Sequence, residues 1–314
     1  METVQNLKKR LKSIGNINKI TKAMELVAAT KMRKSQEIAL ASRPYAFAVM
    51  DLLANVSMLA KKDLPELLVK RKVNKVLFVL VASDKGLAGA FNSSVFKKFE
   101  SFLKHNKEKY QDEKVFLAVG EKSNHYLLKK GLTVVKKFVQ VGDFVTPEQV
   151  KPLSDFIVQG YLNNDWDKVI IFSTHFRSAL KQESLTREVL PITFESLQET
   201  VKEIMPDKGK FAEIAKEQNI SFIPNKEKLN EYLIEPSAKK VLEDLAYHLF
   251  FMQMYHLILE ANASEHSARR MAMKTASDNA KDLGQALNLQ YNKVRQGAIT
   301  SQIIEIIAGS EALN

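Results

Sequence analysis

The sequence predicts an α/β fold in which a small three-layer sheet domain is inserted between two long terminal helices. All eight prolines lie between Pro44 and Pro236, and proline in a helix interior costs about 3 kcal/mol. Both proline-free ends repeat apolar residues at spacings of three and four, which is typical of amphipathic helices. The middle instead carries short continuous apolar runs, which are typical of buried parallel strands.

The N-terminal helix has one apolar stripe and a basic opposite face. Nine lysines and arginines stand against three glutamates in the first forty residues. One such stripe is half of a coiled coil. The predicted stripe consists of Val4, Leu7, Leu11, Ile14, Ile17, Thr21, Met24 and Ala28.

The C-terminal helix supplies the other half and begins after Ser237, a residue type that caps helices well. Heptad spacing predicts a left-handed supercoil, and the intervening domain lets the chain return, so the pair is expected to be antiparallel. About 70 helical residues span roughly 105 Å, so we expect the rod to project and its far end to run beyond its partner. The stripe includes Leu242, Leu245, Leu249, Met252, Leu259, Met273, Ala280, Leu287, Tyr291 and Val294.

The far end of the second helix is apolar nearly all round. A lone solvated helix does not tolerate such a surface, so an apolar sleeve from another protein is expected there. The residues concerned are Ile299, Ile303, Ile304, Ile306 and Ile307.

The middle alternates strand and helix patterns, as in α/β domains. The predicted strands are Val76–Ala82, Val115–Val119 and Val169–Phe172, with an edge strand at Thr186–Phe194; the predicted helices are Phe91–Tyr110, Glu121–Lys130 and Pro147–Leu162. A polar insertion at 195–230 carries a predicted short helix at Phe211–Gln218. We therefore divide the chain into an N-terminal helix (1–70), an α/β domain (71–235) and a C-terminal helix (236–314).

Composition narrows the class of protein. The net charge of +11 favours an anionic partner, such as nucleic acid, a lipid surface or an acidic protein. The absence of cysteine excludes disulfides and thiolate chemistry. No apolar run approaches the roughly 20 residues of a membrane span, and a periodic helix directly after Glu2 argues against a signal peptide.

Candidate chemistry in the sequence is weak. The loop Ser83–Ala90 follows a strand and precedes a helix, where phosphate loops occur, but it matches neither the Walker pattern nor G-x-G-x-x-G. A tight structural turn and an anion site both remain open. His248 and His256 have no carboxylate between them that completes a metal site, and no G-x-S-x-G marks a hydrolytic serine. We expect no catalytic, cofactor or metal residues.

Two other function classes fit parts of the sequence. A basic coiled-coil nucleic-acid-binding protein requires basic residues interleaved with aromatic ones, but the first aromatic is Tyr45. A nucleotide-binding enzyme built on the middle domain requires the loop after Val81 to bind phosphate.

Three segments closely resemble the gamma subunit of F-type ATP synthases. They are ITKAMELVAATKMRKSQ from Ile20, SDKGLAGAFN from Ser83, and the tail that contains ASEHSARRMAMKTASDNA from Ala263 and LQYNKVRQGAITSQIIEIIAG from Leu289. The resemblance runs from end to end. It implies that the terminal helices form an asymmetric, noncatalytic rotor shaft inside the catalytic hexamer, above a Rossmann-like domain at the membrane-facing base.

The resemblance also implies partners and contact residues. Met24 and the basic residues Lys31, Arg33 and Lys34 are expected to face acidic loops of the catalytic subunits. Arg295, Gln296 and Thr300 match the positions that catch a catalytic subunit, and Ile303 and Ile307 belong to the apolar end. The segment with Tyr232 and Glu235 is expected to contact the membrane c-ring. The remaining implied partners are the alpha, beta and epsilon subunits, with the chain peripheral at the cytoplasmic face of a bacterial inner membrane.

Overall fold

A computed structural model describes residues 3–41, 65–107, 110, 113–141, 145–193, 235 and 237–311. The chain divides into two compact units, Thr30–Ala268, here called the α/β unit, and Met1–Ala29 with Arg269–Asn314, here called the helix pair. The insertion at 195–230, with its predicted helix at 211–218, lies outside the described residues.

The α/β unit contains a five-stranded sheet in the order β3-β2-β1-β4-β5. The first four strands along the chain pair in parallel, and β5 is antiparallel to β4. The strands are β1 (Lys75–Val81), β2 (Glu113–Val119), β3 (Val134–Phe138), β4 (Lys168–Phe176) and β5 (Gln182–Leu190). The helices between them are α2 (Phe91–His105), α3 (Glu121–Lys129) and α4 (Pro147–Leu162), and a short 3-10 helix (Glu66–Leu68) precedes β1.

Both faces of the sheet are covered, so the central strands β1 and β4 are buried over almost their whole length. Leu77 and Val79 of β1 contribute to a core that includes α4 and the part of the C-terminal helix within this unit. Phe78 and Leu80, which point the opposite way because side chains alternate along a strand, contribute to a second core with α2 and α3. The predicted three-layer arrangement is confirmed.

Local sequence signals fix where α4 begins. Thr146 and Gln149 form a capping box, and Pro147 occupies the first helical position, where its missing N–H costs nothing. The predicted bounds of this helix match the observed ones. Strand β3 was not predicted, because its central residues Val135, Lys136 and Lys137 are exposed at the sheet edge and give no apolar run.

Two long helices begin and end the described chain: α1 (Val4–Ala41) and α5 (Ala238–Glu311), which has 74 residues. Ser237 caps α5 as predicted, since its hydroxyl accepts a hydrogen bond from the backbone N–H of Lys240 at 3.2 Å.

Within the helix pair the two helices run antiparallel. Ser277 Oγ donates a 2.6 Å hydrogen bond to Asn18 Oδ1, and Ile14 of α1 lies beside Gly284 of α5. As the residue number falls along α1, the number of its neighbour rises along α5. The predicted antiparallel coil is therefore confirmed within this unit.

The assignment of one residue to the predicted apolar stripe of α1 is wrong. Ile17 was assigned to the seam, but 46% of it is exposed. The half-buried residue at this turn is Asn18, which forms the bond to Ser277. A polar residue at a seam position specifies the register of a coiled coil, and the spacing of apolar residues alone does not reveal it.

Candidate functional site

The residues of the helix pair divide into a narrow buried seam and a broad exposed face. Leu7, Thr21, Glu25 and Ala28 of α1 are buried, whereas Leu26 next to them is 60% exposed. Lys22 Nζ lies 2.9 Å from Glu25 Oε2, so the buried carboxylate has a cationic partner. The seam stabilises the pair, and the exposed face is available for other proteins.

The α1 residues that are predicted to contact the catalytic subunits lie at or near the surface. Arg33 and Lys34 are exposed, and Met24 and Lys31 are half-buried. Lys34 Nζ is 3.9 Å from Glu37 Oε2 in an exposed pair, and pairs of this kind contribute about 0–1 kcal/mol. The positive charge of Lys34 therefore remains accessible to an acidic partner.

The predicted contact residues near the end of α5 are all exposed. Residues 295–310 show no buried or half-buried position. The Arg295 guanidinium carbon lies 5.8 Å from the ring centroid of Tyr291, and Thr300 Oγ1 donates a 2.9 Å hydrogen bond to the carbonyl of Gln296. Ile303 and Ile307 are 51% and 55% exposed.

The predicted contacts at the base are only partly described. Glu235 is exposed. Tyr232 lies outside the described residues.

The loop after β1 has the geometry of a structural turn. Ser83 Oγ donates to the carbonyl of Lys85 at 2.6 Å, and Asn92 Oδ1 accepts from the backbone N–H of Ser83 at 3.0 Å. Asp84 accepts backbone N–H groups of Glu121 and Gln140 at 3.0 and 2.9 Å. These side chains bind neighbouring loops of the same chain, which favours the structural interpretation of Ser83–Ala90.

Two kinds of feature are absent from the described part of the chain. There, no three His, Cys, Asp or Glu residues group in a way that could hold a metal ion. No helix in the same ranges is long and apolar enough to cross a membrane.

A buried charged cluster in the α/β unit was not predicted from the sequence. Glu260 of α5 is bracketed by His175 of β4 and His256 one helical turn earlier, with Nδ1 and Nε2 at 2.8 and 3.2 Å from its carboxylate oxygens. Arg187 Nη2 of β5 is 3.6 Å away. The sequence signal was the spacing of four between His256 and Glu260, which lie on one helix face.

Comparison with known proteins gives one consistent result. A protein-family model described as ATP synthase matches residues 3–313. The ATP synthase gamma chain of Halothermothrix orenii is 35% identical over 314 residues, covering all of both chains. The gamma chain of Geotalea daltonii is 34% identical over 313 residues, covering 100% of this chain and 99% of the relative.

Solved structures share the fold at lower sequence identity. The rotor of mitochondrial ATP synthase from Euglena gracilis superimposes with a TM-score of 0.60 at 17% identity, covering 94% of this chain and 98% of that one. The central stalk and c-ring structure from Tetrahymena thermophila gives 0.55 at 23% identity, covering 82% and 99%. With matches of this extent in both sequence and fold, the chain belongs to the ATP synthase gamma chain family.

Proposed function

We propose that the chain is the central rotor shaft of an ATP synthase, coupling proton flow through a membrane ring to ATP synthesis or hydrolysis in the catalytic subunits. The observation that carries this proposal is the match to gamma chains over the full length of both partners at 34–35% identity. The solved structures with a similar fold are those of an ATP synthase rotor and of a central stalk with its c-ring.

The apolar end of α5, residues Ile299–Ile307, supports a bearing role. Ile304 and Ile306 are 60% and 72% exposed in the chain by itself. Exposed apolar area of this kind marks an interaction site. Because apolar contact is non-directional, a sleeve around this end can hold a helix that turns within it.

Side chains of α1 and of the end of α5 are proposed to make contacts with the catalytic subunits that depend on the angle of the shaft. We assign Met24, Lys31, Arg33 and Lys34 to contacts with acidic loops of the beta subunits. Arg295, Gln296 and Thr300, with Ile303 and Ile307 beyond them, are assigned to contacts inside the hexamer of alpha and beta subunits.

The base of the shaft is proposed to contact the c-ring and the epsilon subunit. Glu235 and Tyr232 are the assigned residues there. The proposed location is peripheral, on the cytoplasmic face of a bacterial inner membrane.

The chain is proposed to act without catalytic residues of its own. A shaft that presents different side chains at different angles binds each of three catalytic subunits differently, and differential binding shifts their conformational equilibria. Turning the shaft then changes which subunit is favoured. No observation on the described residues favours the nucleic-acid-binding alternative.

Co-purification tests the proposal directly. A tagged full-length chain expressed in its own cells is expected to bring down the alpha, beta and epsilon subunits, with ATP hydrolysis in the eluate. Recovery of the chain without an ATPase, or with nucleic acid as its main partner, would reject the shaft role.

Charge reversal tests the assigned contacts on α1. Replacing Lys31, Arg33 and Lys34 by Glu is expected to change the hydrolysis rate of the purified complex by twofold or more, since acidic partners would then be repelled. The matched control reverses Lys97, Lys98 and Lys104, which are exposed on α2 and change the net charge equally. Equal rates in both triple variants would remove the α1 residues from the contact set.

A further inference from the structure

One stretch of α5 within the α/β unit, residues 253–264, is buried on every side. All residues from Gln253 to Glu260 and on to Ser264 are buried, whereas an amphipathic helix buries only one stripe. Several of the buried residues are polar. Leaving a polar side chain without a partner in the interior carries the full cost of desolvation.

Glu260 carries a buried carboxylate, and three basic side chains surround it. A carboxylate only accepts hydrogen bonds, so the 2.8 Å contact requires the proton of His175 on Nδ1. His256 approaches the other oxygen, and Arg187 lies at ion-pair distance. Burial by itself raises the pKa of Glu260, but the hydrogen bond from His175, the close approach of His256 and the charge of Arg187 outweigh it and hold the pKa of this carboxyl below its usual value.

Other directional bonds surround this cluster. Ser267 Oγ donates to the carbonyl of Ala179 at 2.7 Å and accepts from Gln182 Nε2 at 3.3 Å, so the β4–β5 turn is bonded to α5. Tyr247 donates to Asp155 of α4, and burial together with that bond raises the pKa of Tyr247 to about 12. Helix α5 is therefore bonded to strands on one side and to α4 on another.

These bonds fix the rotation of α5 about its own axis. Apolar packing is non-directional, so a helix with apolar contacts alone can change its angle by small repacking steps. Turning α5 by one residue position, about 100°, would instead carry Glu260 away from His175 and Arg187. A buried charge that loses its partner is strongly destabilising.

We propose that Glu260, paired with His175 and Arg187, is the anchor that fixes the angle of α5 in the α/β unit and so transmits torque between that unit and the rest of the helix. This inference rests on the proposed rotor function. Glu260 is a positioning residue in this role, and it touches no reacting atom.

The test uses the complete ATP synthase in sealed vesicles, with ATP-driven proton pumping and ATP hydrolysis measured together. Glu260→Gln keeps the shape of the side chain and removes its charge. We expect hydrolysis within about twofold of wild type and at least a threefold fall in protons pumped per ATP against a large opposing gradient, because the helix slips under load. His175→Asn is expected to give a smaller fall of the same kind.

The matched control is Glu183→Gln. Glu183 of β5 pairs at 2.9 Å with Arg177, the residue directly after β4, in an exposed pair. This variant is expected to pump and hydrolyse as wild type does. The fluorescence of Trp166, the one tryptophan of the chain and a buried residue of the α/β unit, reports whether each variant is folded.

Three results would overturn the anchor. They are wild-type pumping ratios in both Glu260→Gln and His175→Asn, a parallel loss of pumping and hydrolysis that follows loss of the folded Trp166 signal, and failure of both variants to assemble. The last two would assign the cluster to folding alone. The rotor function is judged separately, because it fails only if the wild-type chain itself does not enter a proton-pumping complex.

Discussion

The α/β unit and the helix pair bury their apolar residues in different ways. In the α/β unit, six of the seven residues of β1 are buried, and helices cover both faces of the sheet. In the helix pair, the stretch of α5 from 271 to 310 buries only Met273, Ser277, Ala280 and Leu287. One unit closes its own core, while the other stabilises a single seam.

This difference separates two kinds of exposed apolar residue. Those on the α/β unit, such as Leu87 and Leu180, are scattered singly, which is ordinary for a protein surface. Those on the helix pair recur along each helix, as with Ile20 and Leu26 of α1 and Ile303 of α5. The recurrence indicates that the helix pair completes its burial against other proteins.

The largest expected effect comes from Gly120, where the α/β unit has no spare volume. Its φ is +89°, and a Cβ at this position would overlap the backbone carbonyl of Ala82. Overpacking against backbone adds to the strain of a left-handed conformation, so Gly120→Ala is expected to cost about 3 kcal/mol or more. Denaturant unfolding of the full chain, followed by Trp166 fluorescence, measures this cost.

Gly131→Ala is the control for Gly120→Ala. Its φ is +72°, but nothing lies within 4 Å of the new Cβ, so only backbone strain of about 1–2 kcal/mol remains. Equal costs at the two glycines would contradict the close packing of the α/β unit at the end of β1.

A smaller effect is expected in the seam of the helix pair. Leu7 is fully buried, and Leu7→Ala should reduce the opening free energy of the surrounding residues by about 2–3 kcal/mol. Hydrogen exchange of peptides that cover residues 3–29 measures this change. Leu26→Ala, at a 60% exposed position of the same helix, should change it by less than about 0.5 kcal/mol. Similar changes for both leucines would mean that α1 has no defined seam.

Much of the fold could be predicted because local signals and burial agree. Strand β1 is covered on both faces, so its apolar run Val76–Val81 is continuous and easy to identify. Helix α4 carries a capping residue and a proline at its first position. The edge strand β5 was predicted four residues late at its start, because Gln182 and Glu183 pair with β4 while their side chains give no apolar run.

The parts that were not predicted depend on contacts between distant residues. The exposure of Ile17 follows from the bond between Asn18 and Ser277, which are 259 positions apart. Likewise, Glu260 gains its role from His175, 85 positions away. Periodicity describes one helix at a time and carries no information about such partners, so the buried cluster could not be found from spacing alone.

The smallest expected effect is the pH dependence of the contribution that Glu260 makes to the stability of the α/β unit. Because the pKa of Glu260 is lowered on folding, its contribution to stability is complete above roughly pH 5, where the unfolded carboxyl is ionised, and is lost as the pH falls toward the folded pKa. Between pH 6 and pH 3, the difference in unfolding free energy between wild type and Glu260→Gln, read from Trp166 fluorescence, should therefore shrink by about 1–2 kcal/mol. If the difference at Glu260 did not depend on pH, His175, His256 and Arg187 would not stabilise its carboxylate in the folded chain. The contrast between the charged cluster of the α/β unit and the apolar seam of the helix pair would then fail.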